Sequence, residues 1–214
     1  GGTLAWVGGD PAGPGELHAM RSDDREPRRL TDVNADLKEI VELGPVTEFT
    51  AASGADGREV QGWLVLPPGA APDDELPLLL EIHGGPFLAY GPEFSLELQL
   101  YAALGYAVVY GNPRGSTSYG EEFANLIHHA YPSQDYDDLM ALVDGAIART
   151  KIDEDRLYVT GGSGGGVLTA WIVGKTKRFA AAVVAKPVIN WTSFALTADA
   201  YAFFWQYWFP AAPW

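Results

Sequence analysis

Apolar positions along the chain change rhythm near residue 75, from paired short runs separated by turn residues to near-continuous runs separated by helical stretches. In the first region, Leu4-Ala5-Trp6-Val7 and Leu17-His18-Ala19-Met20 flank a Gly/Pro-rich connection over 8–15, which predicts a β-hairpin. A charged turn over 23–28 and a polar connector over 32–44 follow, with a domain boundary expected near Pro45. Residues 46–49 and 60–66, joined by Ser53-Gly54-Ala55-Asp56-Gly57, predict a second hairpin.

Beyond residue 75, the runs 78–82, 107–110, 157–160 and 181–185 have the composition of strands buried on both faces of a parallel sheet. Between them the clearest helix covers 135–149, where Tyr136, Leu139, Met140, Val143, Ala146 and Ile147 fall on one stripe. Alternating strands and helices predict an α/β domain with right-handed crossovers and a site at the strand carboxyl ends. At 214 residues the chain accommodates one such domain plus a fraction.

Composition narrows the chemistry. Twenty-eight acidic against 14 basic residues give a formal charge of -14, which repels phosphate backbones and argues against a nucleic-acid partner. Cysteine is absent, so disulfides, thiolate catalysis and Cys-ligated zinc are excluded for these residues. No apolar run reaches the ~20 residues of a membrane span. The richest stretch, 198–214, is aromatic, interrupted by Gln206 and prolines, and reads as buried wall, so no membrane partner is expected. The histidines lack H-E-x-x-H spacing, and Asp135, Asp137 and Asp138 read as acidic residues at a helix N-terminus, so neither metal nor cofactor is implied. The chain opens at Gly1-Gly2 and stops in Ala211-Ala212-Pro213-Trp214, and both ends read as cut.

One segment carries a chemical signature. Arg156-Leu157-Tyr158-Val159-Thr160 predicts a strand, residues 161–166 form the glycine turn Gly-Gly-Ser-Gly-Gly-Gly, and 167–176 predict a helix with Val167, Trp171 and Ile172 facing inward. Gly161, Ser163 and Gly165 match G-x-S-x-G, a sharp strand-to-helix turn that needs glycines where backbones crowd and that lifts the serine above a sheet. The phosphate-binding alternatives fail in register. A dinucleotide fingerprint starting at Gly162 needs glycine at Val167, and a Walker loop ending at Lys175-Thr176 needs glycine at Thr169. Ser163 is therefore the candidate nucleophile.

A second motif fits the same chemistry. The predicted strand 78–82 runs into His83-Gly84-Gly85-Pro86, where an α/β-hydrolase fold takes one oxyanion donor from an HGG-type loop. Gly85 and Gly164 are the candidate amide donors, and His83 reads as a brace for its loop because it precedes the serine.

Three blocks together resemble the prolyl oligopeptidase family, particularly its acylaminoacyl-peptidase and dipeptidyl-peptidase branches: residues 80–86 (LEIHGGP), 112–120 (NPRGSTSYG) and 159–166 (VTGGSGGG). The resemblance runs over 46–214 and implies a serine peptidase with a peptide substrate and an α/β-hydrolase domain over 45–214, here its N-terminal part with a mostly parallel sheet and flanking helices. It also implies that 1–44 are the end of a preceding β-propeller and its connector, with the first hairpin a remnant of the last blade. In the family-like segment 186–194, Val188, Trp191 and Phe194 would line the pocket for the side chain before the cut. Many relatives carry Tyr or His after the serine, where this chain has Gly164, which keeps the amide and removes a side chain. Arg114 reads equally as a residue that orders the site or meets a substrate carbonyl and as a structural ion-pair partner, and it is left outside the catalytic set.

A serine needs an imidazole base oriented by a carboxylate. The histidines, at 18, 83, 128 and 129, all precede Ser163. The fold places Asp and then His after the serine, so the expectation is an intact enzyme whose base lies beyond Trp214 and a piece that turns over negligibly. Two other readings compete: a carboxylesterase or lipase, and a non-catalytic binding module on the same scaffold.

Overall fold

The computed structural model describes residues 2–214, apart from the side chain of Lys38. In chain order the elements are β1 (Thr3–Asp10), β2 (Gly13–Arg21), β3 (Arg28–Arg29), α1 (Ala35–Ile40), β4 (Val46–Ala52), β5 (Glu59–Val65), β6 (Leu76–Ile82), α2 (Leu96–Ala103), β7 (Ala107–Gly111), α3 (Glu121–Ala124), α4 (Asp135–Ile147), β8 (Ile152–Gly162), α5 (Gly164–Lys175), β9 (Ala181–Ala185), α6 (Trp191–Thr197) and α7 (Tyr201–Trp208). Strands β1 to β3 form a small antiparallel sheet, and the connector expected over 32–44 holds the short helix α1.

The other six strands make one mixed sheet in the order β4-β5-β7-β6-β8-β9, in which only β5 runs against its neighbours. Side chains alternate across it, as the two-residue strand period requires. Trp63, Val65, Val108 and Tyr110 pack with Leu98 and Ala102 of α2 on one face. Leu64, Leu78, Leu80, Ile82, Val109, Leu157 and Val159 pack on the other with Leu139, Leu142 and Val143 of α4 and Leu168 and Ile172 of α5.

From β6 the chain crosses through α2 to β7 on one side, then returns past β6 to β8 on its other side. Beyond the carboxyl ends of β6 and β8 the connections therefore leave in opposite directions, which opens the crevice where α/β sheets hold their sites. Ile82 pairs with Gly161 in the parallel register, so the two sequence motifs leave neighbouring strands at one level.

Three expectations need correction. Within these 214 residues strand β9 is not buried on both faces: it pairs only with β8, and Val183 is 64% exposed. Trp171 does not face inward. Helix α5 begins at Gly164, three residues before the expected start, and its buried stripe runs through Gly165, Leu168, Thr169 and Ile172, while Trp171 lies on the flank under the Lys175 ammonium, Nζ 4.9 Å from its ring. The aromatic stretch 198–214 is only partly wall: Trp208 is buried, whereas Tyr201, Phe203 and Trp214 are exposed.

Candidate active site

Ser163 occupies the bend between β8 and α5 with φ 58° and ψ −116°, a conformation that costs a non-glycine residue about 1–3 kcal/mol. The surroundings hold it there. Its N–H donates to the Ala185 carbonyl at 3.0 Å, and its carbonyl accepts from Val167 N–H at 3.0 Å. The side chain is exposed, and no described residue hydrogen-bonds its hydroxyl.

The glycines around it answer to crowding. A β-carbon on Gly165 would lie 2.0 Å from the Ile82 carbonyl oxygen, one on Gly161 2.6 Å from the Gly165 carbonyl, and one on Gly166 2.4 Å from the Ala185 carbonyl. Gly164 is constrained by the other motif: its β-carbon would meet the Gly85 oxygen at 2.6 Å and the Gly85 nitrogen at 2.9 Å. Gly85 itself sits at φ 111°, a backbone region open to glycine.

Neither the Gly85 nor the Gly164 N–H has a partner among the described residues. Gly164 opens α5, whose first amides lack intrahelical acceptors and carry the positive end of the helix dipole. Two free donors thus lie close together beside an exposed hydroxyl, the arrangement that can stabilise a developing oxyanion.

The 112–120 segment serves as scaffold for the loop that carries Gly85. Asn112 clamps Tyr90 at both ends, accepting from its N–H at 2.7 Å and donating to its carbonyl at 2.9 Å. Thr117 N–H donates to the Leu88 carbonyl at 3.0 Å. The His83 ring braces the loop from within, Nε2 lying 2.9 Å from Ser116 Oγ and Nδ1 2.6 Å from the Gly84 carbonyl. Burial lowers the His83 pKa, and with both nitrogens engaged the ring has none left for Ser163. Arg114 is almost wholly buried. It donates from Nε and Nη2 to Asp138 at 2.9 and 2.8 Å and reaches Gln134, Asp56 and Ser53. Asp138 is therefore a buried ion-pair partner, which its place in a helix N-terminal acidic cluster did not reveal.

A cavity of about 100 Å³ adjoins Ser163. Val188, Trp191 and Phe194, predicted from the sequence, all line it together with Gly85 and Gly164. Tyr131, Phe204 and Trp208 line it too and were missed. No spacing signal ties Tyr131 to the serine, although its hydroxyl donates to the Gly164 carbonyl at 3.2 Å. Burial first, then the Asp135 charge, pushes the Tyr131 phenol far above its ordinary value.

A mixed sheet with a serine elbow beside a glycine loop is the architecture of the α/β-hydrolase fold. Residues 92–214 match the model of the prolyl oligopeptidase family, and the chain belongs to that family. It is 45% identical over 199 residues to a Bacillus subtilis (strain 168) protein named uncharacterized peptidase YuxL, covering 92% of this chain and 30% of that one. It superposes on the acylaminoacyl peptidase of Pyrococcus horikoshii with a TM-score of 0.87 at 28% identity, covering 96% of this chain and 33% of that one. A further acylaminoacyl peptidase structure, in complex with Z-Gly-Gly-Phe-chloromethyl ketone, aligns with a TM-score of 0.88 at 28% identity, over 96% of this chain and 33% of that one. The chain thus spans about a third of the length of these relatives.

Proposed function

We propose that Ser163 is the nucleophile of a serine peptidase that hydrolyses peptide or acyl-amino-acid bonds through an acyl-enzyme. Its hydroxyl oxygen attacks the scissile carbonyl, giving its proton to a histidine, and the carbonyl oxygen becomes an oxyanion held by the Gly85 and Gly164 amides. Collapse expels the amine, which takes that proton. Water, deprotonated by the same histidine, then attacks the acyl ester and releases the acid with Ser163 restored. Val188, Trp191 and Phe194 receive the side chain before the cut.

The base and its carboxylate belong, in this reading, to sequence outside these 214 residues. Ser163 Oγ has no hydrogen-bond partner here, and both His83 nitrogens are committed elsewhere. On their own the 214 residues would then turn over negligibly. We also assign 1–44 to the end of a propeller and its connector, and 45–214 to the hydrolase domain.

The observation that carries the proposal is the exposed hydroxyl at a strained elbow beside two unpartnered amides. The test is fluorophosphonate labelling of the full-length protein with mass-spectrometric mapping, alongside rates on peptide p-nitroanilides and p-nitrophenyl esters. Labelling at Ser163, amidase activity, and loss of both in Ser163→Ala are expected. Label elsewhere, or activity surviving in that variant, defeats the reading, and ester turnover without amide turnover makes the protein an esterase.

A further inference from the structure

Helix α7 carries aromatic residues in two adjacent stripes, 203/207 and 204/208, because residues four apart share a helix face. The 204/208 stripe walls the cavity beside Ser163, with Phe204 4.7 Å from Phe194 and Trp208 5.7 Å from Trp191, ring centroid to ring centroid. The 203/207 stripe faces elsewhere. Phe203 and Tyr207 pack edge-on against Phe87 at 6.1 and 5.3 Å. Phe87 belongs to the same tight turn as the Gly85 donor, its nitrogen 2.5 Å from where a β-carbon on Gly85 would sit.

The far end of α7 is tied down. His129 donates from its backbone N–H to the Tyr207 carbonyl at 3.0 Å, its Nε2 lies 2.9 Å from the Gln206 carbonyl, and the Tyr207 hydroxyl hydrogen-bonds Asn125. The cavity meanwhile holds about 100 Å³, the scale of a single large side chain, so an occupant would press on its walls, and the wall on α7 is the one whose other face touches the loop that carries Gly85.

We infer that Phe203 and Tyr207 are positioning residues: by gripping Phe87 they couple the seating of a large apolar side chain between Phe204 and Trp208 to the placement of the Gly85 donor. The inference rests on the proposed nucleophile and donors and adds where side-chain preference is expressed. Substrates that fill the cavity set the donor in place and react faster, so preference appears in kcat more than in KM.

The experiment compares full-length wild type, Phe203→Ala and Tyr207→Ala on peptide anilides with Phe or Ala before the cut, and measures inhibition by a peptide boronate, whose adduct with Ser163 places an oxygen at the donors. Expected is a loss in kcat of about tenfold on the Phe substrate with KM changed less than about threefold, and a collapse of the Phe-over-Ala ratio in kcat. Boronate binding should weaken by about the same tenfold factor, and Phe203→Leu and Tyr207→Phe should restore most of each loss. If an alanine variant does not fold, the leucine and phenylalanine variants decide, with a Phe-over-Ala ratio between wild type and unity expected. Equal losses on both substrates, or a raised KM at unchanged kcat, overturns the inference. Wild type without Ser163-dependent turnover defeats the underlying mechanism instead.

Discussion

Arg114 offers the sharpest test of the packing beneath the site. Its guanidinium and its own backbone N–H give Asp138 three hydrogen bonds, at 2.7, 2.9 and 2.8 Å, while Asp138 is fully buried. Replacing Arg114 with Met keeps the backbone donor and most of the side-chain volume but leaves a carboxylate in the interior without its counter-charge. Such an uncompensated charge costs about 3–5 kcal/mol. With a urea slope of about 2–3 kcal/mol/M for the domain that holds this ion pair, the midpoint of that domain's transition should fall by about 1–2.5 M. Chemical denaturation of the full-length protein, followed by near-ultraviolet circular dichroism, measures it. The double variant Arg114→Met/Asp138→Asn removes the orphaned charge while keeping an acceptor for the residue 114 backbone N–H, and should recover most of the loss. A single variant within about 0.5 kcal/mol of wild type refutes the reasoning, as does a double variant less stable than the single one.

Other outcomes follow from the same geometry. Gly165→Ala, whose β-carbon lands 2.0 Å from the Ile82 oxygen, should cost about 3 kcal/mol or more and abolish fluorophosphonate labelling. Gly174→Ala, with nothing within 4 Å and an α5 backbone to suit it, should raise stability by about 0.5–1 kcal/mol in the same denaturation experiment and leave labelling intact. Glu81 is buried on β6 with one carboxylate oxygen unpartnered, and burial, then repulsion from Glu97, pushes its pKa up from 4.5 to about 8. The folded state thus holds the proton more tightly, so this contribution to stability is full below the unfolded value near 4.5 and is lost as pH rises through about 8. The stability gap between Glu81→Gln and wild type should therefore widen in favour of glutamine between pH 5 and pH 9, and a gap independent of pH would contradict it.

The sheet was legible because its inner strands announce burial on two faces through unbroken apolar runs, and the elbow because its glycines sit at fixed offsets from a serine. Hydrophobicity alone does not say what covers a strand, and β9, as apolar as β7, is exposed within these 214 residues. Trp171 was misplaced for a related reason: the buried stripe of α5 runs through Gly165, Leu168, Thr169 and Ile172, and its glycine and threonine give no apolar signal. Val188, Trp191 and Phe194 were reached through resemblance, and the cavity gathers them with the serine. Tyr131, Phe204 and Trp208 reach the same cavity from segments more than thirty residues from Ser163 on either side, with no periodicity to betray the contact.

The deeper limit concerns what the motifs are. In the sequence His83-Gly84-Gly85-Pro86 and Gly161-Gly162-Ser163-Gly164-Gly165-Gly166 are two separate signals, each with glycines explained by its own turn. In the fold they are one object. The Ile82 oxygen forbids a side chain at 165, the Gly85 peptide as placed here leaves no room for one at 164, and a β-carbon on Gly84 would stand 3.2 Å from the Gly162 oxygen. Each motif's glycines therefore admit the other motif's backbone, at a level set by the pairing of Ile82 with Gly161. It follows that the two proposed amide donors are adjusted together: in this chain a β-carbon added at 164 requires the Gly85 peptide to move, so relatives with Tyr or His after the serine must seat the preceding glycine loop differently.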